Sequence, residues 1–148
     1  MLGCPYVPTN ASRMQESAAD FNTNVRFGRN ELAVEQVLPE SREEYLRHHK
    51  PWGKELSLAD YELVSAKMVD DDNADVCIKY NWYNVRDNDL HVTTVKQKWR
   101  KLHGNWKLAS EARTEGDVGI FGEEGPTRVA GDPQAPRSVQ FPTVRFGD

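Results

Sequence analysis

The fold of this chain is indicated most clearly by residues 74–85, which read ADVCIKYNWYNV and alternate between apolar and polar side chains. Successive side chains of a β-strand point to opposite faces of the sheet. Val76, Ile78, Tyr80 and Trp82 should therefore share one face, with Lys79 on the other. A period of two over this length predicts a strand with one buried face.

The same period continues on both sides of that stretch. It predicts four strands, Leu58–Val69, Ala74–Val85, Leu90–Lys101 and Trp106–Ala112. Short breaks rich in Asp, Asn and Gly separate these strands, so consecutive strands should pair as antiparallel hairpins. Four-residue turns would set Tyr80 opposite Val95, Trp82 opposite Thr93 and Trp99 opposite Leu108. Two registers of the first strand fit the sequence, one with Leu63 and the other with Val64 facing inward.

The two faces of this sheet should differ in character. The predicted inner face carries Val76, Ile78, Tyr80, Trp82, Val95, Trp99, Trp106 and Leu108, and four large aromatics require a cover. The only polar inner positions expected on the last three strands are Asn84, His91, Thr93, Gln97 and Ser110. On the outer face, Glu111 should pair with Lys96, and Cys77 should lie beside Lys98.

The first third of the chain should be helical. Met14, Ala18, Phe21 and Val25 form one apolar stripe along a predicted helix over Ser12–Phe27, which Gly28 ends. A second helix is expected over Glu31–Leu38 with Asn30 as its N-cap. A third begins at a capping box formed by Ser41 and Glu44 and is broken by Pro51. The predicted fold class is α+β, with helices packed on a four-stranded antiparallel meander.

Composition narrows the function classes. The 148 residues are 38% hydrophobic and 28% charged, which is typical of a globular domain. The formal net charge of −4 does not favour binding to nucleic acid. The strand period also turns Lys96 and Lys98 away from Trp99, so these cations and aromatics share no base-stacking surface. Two distant cysteines give little support for zinc or dithiol chemistry, and no cofactor is expected.

The first residues, Met1-Leu2-Gly3-Cys4, match the end of a bacterial lipoprotein signal. We expect Cys4 to be the lipid attachment site and residues 1–11 to be a tether, which would anchor the protein in the bacterial cell envelope. The alternative is an ordinary cytosolic N-terminus with an incidental cysteine.

The order of elements, ending in Trp99-Arg100-Lys101-Leu102-His103-Gly104-Asn105-Trp106, resembles the superfamily of nuclear transport factor two and ketosteroid isomerase. Val25-Arg26-Phe27-Gly28-Arg29 and Leu58-Ala59-Asp60-Tyr61-Glu62 resemble a group of bacterial lipoproteins of unassigned role. The resemblance covers about residues 12–112 and implies a strongly curved, cone-shaped, cystatin-like sheet around a pocket. Members of this superfamily include both enzymes and binding modules.

No catalytic residue is expected. The isomerases of that superfamily use a tyrosine on the first helix and pocket aspartates, which this sequence lacks. His91 is the one titratable candidate, and we expect it at the rim. His48 and His49, adjacent on a helix, point too far apart to hold one metal ion, so no metal site is expected. A small-molecule pocket would be lined by Tyr80, Trp82, Thr93, Gln97 and Trp99.

Residues 116–148 are rich in Gly and Pro and lack an apolar period, so the domain is expected over residues 12–115 with a tail after it. Phe141, Val144, Arg145 and Phe146 suit an extended docking arm. The hypothesis is a non-enzymatic envelope lipoprotein that assembles with a protein partner or with itself. The alternative is a small-molecule binder or enzyme that uses the pocket.

Overall fold

The computed structural model describes residues 7–123 and shows helices followed by one sheet. Its elements are α1 (Asn10–Arg26), α2 (Asn30–Glu35), α3 (Arg42–His48), β1 (Leu56–Met68), β2 (Asn73–Asn84), β3 (Leu90–Leu102) and β4 (Asn105–Gly116). The strands lie side by side in the order β1-β2-β3-β4, and all neighbours are antiparallel. The predicted α+β class and the four-stranded meander are confirmed.

Helix α1 forms and packs as its stripe predicts. Met14, Ala18, Phe21 and Val25 are all buried against the sheet. The Thr9 side chain caps the helix by accepting a hydrogen bond from the backbone N–H of Ser12 at 3.0 Å. The apolar face of α1 therefore supplies the cover that the aromatic face of the sheet needs.

The predicted starts of the next two helices were wrong. Asn30 lies inside α2, whose N-cap Arg29 makes no side-chain capping bond. Ser41 precedes α3 but its side chain does not cap it. Ser41 ends a 3₁₀ turn and has φ −104° and ψ −2°, whereas a capping side chain needs an extended backbone at that position. The capping box with Glu44 is therefore not formed.

The register of the β2–β3 hairpin differs from the prediction by two residues. Tyr80 lies opposite Thr93 and Trp82 opposite His91, because the ladder closes at the pair of Tyr83 and Leu90. Asn84 and Asp87 each accept a hydrogen bond from a backbone N–H two residues further on, which builds a longer loop than the predicted four-residue turn. A shift of two keeps every side chain on its predicted face. In the last hairpin, Trp99 lies opposite Leu108 as predicted.

A bulge in β4 overturns the prediction for Glu111. Lys98 pairs with Ser110 and Trp99 with Leu108, so Ala109 is an extra residue and the side chains beyond it exchange faces. Glu111 therefore points inward, opposite Gln97.

The outer-face partners of the lysines change with this register. Lys96 pairs with Asp75, at 3.4 Å, instead of with Glu111. Lys96 also lies opposite Cys77, where Lys98 was predicted. Lys98 lies opposite Asp75 instead.

Strand β1 is also irregular. Its register shifts between Leu58 and Asp60 and again between Leu63 and Ser65. Leu56 and Leu58 are buried. Leu63 lies opposite the buried Ile78 and so takes the inner side, although it is 38% exposed, whereas Val64 falls in the register shift and is exposed. The far half of β1 adds Ala66 and Met68, which are partly buried against the core.

The segment after β4 packs on the core. Ile120 and Phe121 are buried, and the indole N–H of Trp52 donates to the carbonyl oxygen of Ile120 at 2.5 Å. The folded part of the chain therefore continues through residue 123, beyond the predicted end at residue 115. Cys4 and the predicted docking arm, Phe141, Val144, Arg145 and Phe146, lie outside the described residues.

Candidate functional site

The five residues predicted to line a pocket do lie together on the concave face of the sheet. Tyr80, Trp82, Thr93, Gln97 and Trp99 are each 0–1% exposed. Their side chains are therefore covered by other parts of this chain. Their role as a ligand site stays a prediction.

Aromatic packing provides that cover. Phe21 of α1 meets Trp99 edge to face, with ring centroids 5.7 Å apart. Trp52, from the loop between α3 and β1, meets Tyr80 in the same way at 5.5 Å. Such edge-to-face pairs are a favoured aromatic geometry. The concave face is therefore closed by the chain's own side chains.

A connected set of polar side chains, here called the central polar cluster, lies among these rings: Asn22, His49, Tyr80, Gln97 and Glu111. The hydroxyl of Tyr80 donates to Oδ1 of Asn22. The Gln97 amide nitrogen lies 2.9 Å from Oε2 of Glu111 and 3.1 Å from the Tyr80 oxygen. Each buried polar group thus has a partner, which is the condition for keeping polar groups in a core.

The most unusual pair in the cluster is His49 with Glu111. Nε2 of His49 lies 2.5 Å from Oε1 of Glu111, and the two side chains are only 7% and 3% exposed. The imidazole is held between the rings of Tyr45 and Trp52, with centroid distances of 4.0 and 4.1 Å. Two groups capable of proton transfer are therefore fixed in contact inside the domain.

The phenols beside this pair are held neutral. Burial raises the pKa of Tyr80 well above its ordinary value, and the charge of Glu111 raises it further. Burial and then Glu111 raise the pKa of Tyr45 in the same way. Tyr80 therefore acts as a hydrogen-bond donor and acceptor and not as a base.

Space limits what the His49–Glu111 pair can do. The cleft beside it, between α3 and β4, is lined by residues such as Tyr45, His48 and Ser110. It has room for little more than one water molecule. A substrate would need a movement of α3 to reach the pair.

A second polar constellation, here called the His91 clamp, is formed by Asp87, His91 and Asp117. His91 was predicted at the rim, but its side chain is 1% exposed. Its Nδ1 lies 2.9 Å from Oδ2 of Asp117 and its Nε2 lies 3.2 Å from Oδ2 of Asp87. The longer hairpin loop and the segment after β4 cover the ring. The sequence-based prediction included neither this loop length nor the packing of that segment.

The clamp favours a protonated histidine. Burial lowers the His91 pKa, but the hydrogen bond and charge of Asp117, and then those of Asp87, outweigh it and raise the pKa above 6.5. Thr93 strengthens the connection, because its hydroxyl donates to the carbonyl of Asp117 at 2.7 Å and accepts from the Trp82 indole at 2.9 Å. The clamp ties the segment after β4 to the sheet.

Neither constellation forms a metal site over residues 7–123, where no three His, Cys, Asp or Glu side chains are arranged to hold an ion. His48 lies 3.9 Å from Glu44, whereas the neighbouring His49 turns inward to Glu111. In the same part of the chain, no helix has the length and apolar character to cross a membrane.

The comparisons with known proteins bear on the fold. A scan against protein-family models finds no match, and a search of curated proteins finds none either. Among solved structures, the chain is similar to a SEC-C motif containing protein from Rhodopseudomonas palustris, whose structure was determined in solution. The TM-score is 0.57 at 14% identity, over 67% of this chain and 77% of that one. Such a likeness shows a shared fold, and membership of the nuclear-transport-factor-two-like superfamily stays a prediction.

Proposed function

We propose that this chain is a non-enzymatic, protein-interaction domain of the nuclear-transport-factor-two-like superfamily. The observation that carries the proposal is the closed concave face: Trp99 is buried beneath α1, Tyr80 beneath Trp52, and Trp82 against His91. Ligand sites are usually preformed clefts that can bury most of a small molecule. A sheet whose hollow is filled by its own side chains is better suited to binding through its surface.

The outer face of the sheet offers such a surface near the β2–β3 hairpin. Tyr83, Val85, Leu90 and Val92, here called the hairpin patch, are 40–59% exposed. Tyr83 and Leu90 are direct cross-strand partners, and Val92 follows on the same side of β3. Contiguous exposed apolar side chains mark interaction sites, and tyrosine is enriched in them. The patch supports assembly with a partner protein or a second copy.

The proposal includes the two terminal features of the sequence. Cys4 would carry lipid and hold the domain at the bacterial envelope, where a single acyl chain gives only marginal binding and several would be needed. Phe141, Val144, Arg145 and Phe146 would dock on a partner as an arm. Both rest on the sequence pattern alone.

Site-specific photo-crosslinking in the native host tests the interaction. A photoreactive amino acid at position 92, in the hairpin patch, should give adducts with a second copy or with one partner protein. The matched control at position 67, exposed on β1, should give none. Absence of adducts from position 92, or equal adducts from both positions, would contradict the proposal. Fractionation of the host cells tests the anchor, since wild-type protein found wholly in the soluble cytosol would exclude it.

A second candidate, an enzyme or small-molecule binder, is favoured by the buried His49–Glu111 pair, because general acid–base catalysis needs titratable groups in a dry site. It requires α3 to move and open the concave face. Amide hydrogen exchange decides between the two candidates. Rapid exchange along α3 with slow exchange in β3 would support an opening site, and uniform protection would exclude it.

A further inference from the structure

An open groove lies at the C-terminal end of α3, and its lining differs from the residues of the central polar cluster and of the hairpin patch. It is lined by Arg47, His48, Lys50, Pro51, Lys54, Glu55, Phe121 and Gly122. Counting the part open to solvent, it encloses about 980 Å³. The part that a water-sized sphere can occupy is about 530 Å³, which is within the size range of small-molecule sites.

The groove has a surplus of positive charge. Within residues 7–123, Arg47, Lys50 and Lys54 make no ion pair or side-chain hydrogen bond. The single acid of the groove, Glu55, is engaged by Arg86 at 3.6 Å. Three uncompensated cations therefore face one opening in a chain whose net charge is −4.

These cations are not needed to complete the end of the helix. The carbonyl oxygens of Tyr45 and Arg47 accept hydrogen bonds from the backbone N–H groups of His49 and Lys50. The carbonyl oxygen of Pro51 accepts backbone N–H groups from residues 54–56. Backbone N–H groups make these bonds, and the side chains of Arg47, Lys50 and Lys54 take no part in them and stay available to a ligand.

The remaining wall of the groove is aromatic. The rings of His48 and Phe121 lie 5.5 Å apart at 30°, and Phe121 stacks on Trp52 at 6.1 Å with an angle of 8°. Phe121 is fixed by its packing on the core, where it is 8% exposed, and His48 is a third exposed beside it. A lining that combines three cations with two rings matches a planar anion.

We propose that this groove binds a small organic anion, one that carries a carboxylate or phosphate group on an aromatic body. The anion would pair with Arg47, Lys50 and Lys54, and its rings would lie against His48 and Phe121. The site goes beyond the proposed interaction function, since it uses a different surface and needs no partner protein.

Two matched probes test the site on the full chain by fluorescence titration. The probe 1-anilinonaphthalene-8-sulfonate is an aromatic anion, and N-phenyl-1-naphthylamine has the same rings without the charge. We expect the anion to bind at one site, with an affinity at least about tenfold higher than that of the neutral probe. Its affinity should fall as the salt concentration is raised. Equal affinity for the two probes would overturn the proposal.

Charge variants locate the binding. The triple variant Arg47→Gln, Lys50→Gln, Lys54→Gln should bind the anion about tenfold more weakly or worse. The control Lys67→Gln, Lys79→Gln, Lys98→Gln removes the same charge from exposed positions on the sheet and should bind as the wild type does. All six side chains are exposed, so both variants should fold, which circular dichroism checks.

Equal losses in the two variants would show an effect of net charge alone and overturn the site. An unchanged groove variant would overturn it as well. Amide NMR shifts on adding the anion should centre on residues 47–55 and 121–122, and shifts centred elsewhere would contradict the location.

Discussion

Glu111 and His49 show how much one buried side chain can depend on another. Their contact, 2.5 Å between Nε2 and Oε1, lies among rings that exclude water. Removing the carboxylate leaves the buried imidazole without its partner and takes one of its three acceptors from the Gln97 amide. We predict that Glu111→Ala lowers the free energy of unfolding by about 3–5 kcal/mol.

The matched control for this change is Glu115→Ala, on the exposed part of the same strand. It should cost about 0.5 kcal/mol or less. Urea denaturation of the two variants is the measurement. Similar midpoints would show that Glu111 does not point inward.

His91 leads to a prediction about pH. Its pKa is raised in the folded protein, so the clamp stabilises the fold fully below the unfolded value of 6.5 and loses that stabilisation as pH rises through the folded value. The groups that face the ring are Asp87, Asp117 and the ring of Trp82, which is tilted by 30° at a centroid distance of 4.5 Å. We predict that the stability difference between wild type and His91→Gln is largest near pH 6 and narrows in more alkaline solution.

Urea unfolding at a series of pH values measures this difference. His48→Gln serves as the control, because His48 is a third exposed and has one carboxylate at 3.9 Å. Its difference from wild type should change little over the same range. A difference for His91→Gln that is constant with pH would refute a protonated clamp.

At the scale of elements, the sequence was most informative where a period was unbroken. The stripe of α1 and the alternation of β2 assign faces by geometry alone, and both are confirmed. The bulge at Ala109 is different, because one extra residue reverses the faces beyond it and leaves no mark in the composition. Glu111, the residue that completes the central polar cluster, was missed for that reason.

Other parts of the site left weak signals. Tyr45 and His49 are four residues apart on one helix, the spacing at which rings stack, and this spacing could have suggested a common face. The segment after β4 has no period to detect, since Gly119 and Gly122 separate Ile120 and Phe121 from any repeat. Its burial depends on contacts with Trp52, which is distant in sequence.

That segment provides the next prediction. Ile120 is 0% exposed and its carbonyl accepts from Trp52, so its side chain is part of the core. Ile120→Ala should lower the free energy of unfolding by about 2–5 kcal/mol. Val85→Ala, at an exposed position, should cost about 0.5 kcal/mol or less. If urea melts gave equal midpoints, the segment would be a solvated tail as the sequence suggested.

Gly116, where β4 ends and this segment begins, has a backbone that only glycine suits. Its φ is +89°, and a Cβ there would overlap the carbonyl oxygen of Val92. Gly104 has φ +82° with no atom near its Cβ position, so alanine there suffers only the backbone strain of about 1–2 kcal/mol. We predict that Gly116→Ala is clearly more destabilising than Gly104→Ala in thermal unfolding, and equal losses would contradict the close approach.

At the scale of the molecule, three surfaces differ in character. The concave face is closed, the hairpin patch is apolar and lies on the outer face, and the groove beside α3 is cationic. A domain with a filled hollow can bind on several sides at once, because no internal site has to open. The hairpin patch and the groove consist of different residues, so variants can change one without changing the other.

The last prediction concerns the arm. In the described residues, the buried hydrophobic side chains run from Met14 to Phe121, and the sequence of the final residues lacks the apolar period of a folded segment. Deleting Ser138–Asp148 removes Phe141, Val144, Arg145 and Phe146, the spaced anchors among prolines that suit docking. We expect the truncated protein to keep the unfolding midpoint of the full chain, within about 0.5 kcal/mol, and to lose assembly.

Sedimentation equilibrium and the position-92 crosslinks report assembly, and urea melts report the fold. Phe141→Ser with Phe146→Ser provides the matched test, since it keeps the length and charge of the chain while removing the aromatic anchors. It should assemble as poorly as the deletion. A truncated protein that still assembles would show that the arm is dispensable, and a lowered unfolding midpoint would show instead that these residues belong to the folded domain.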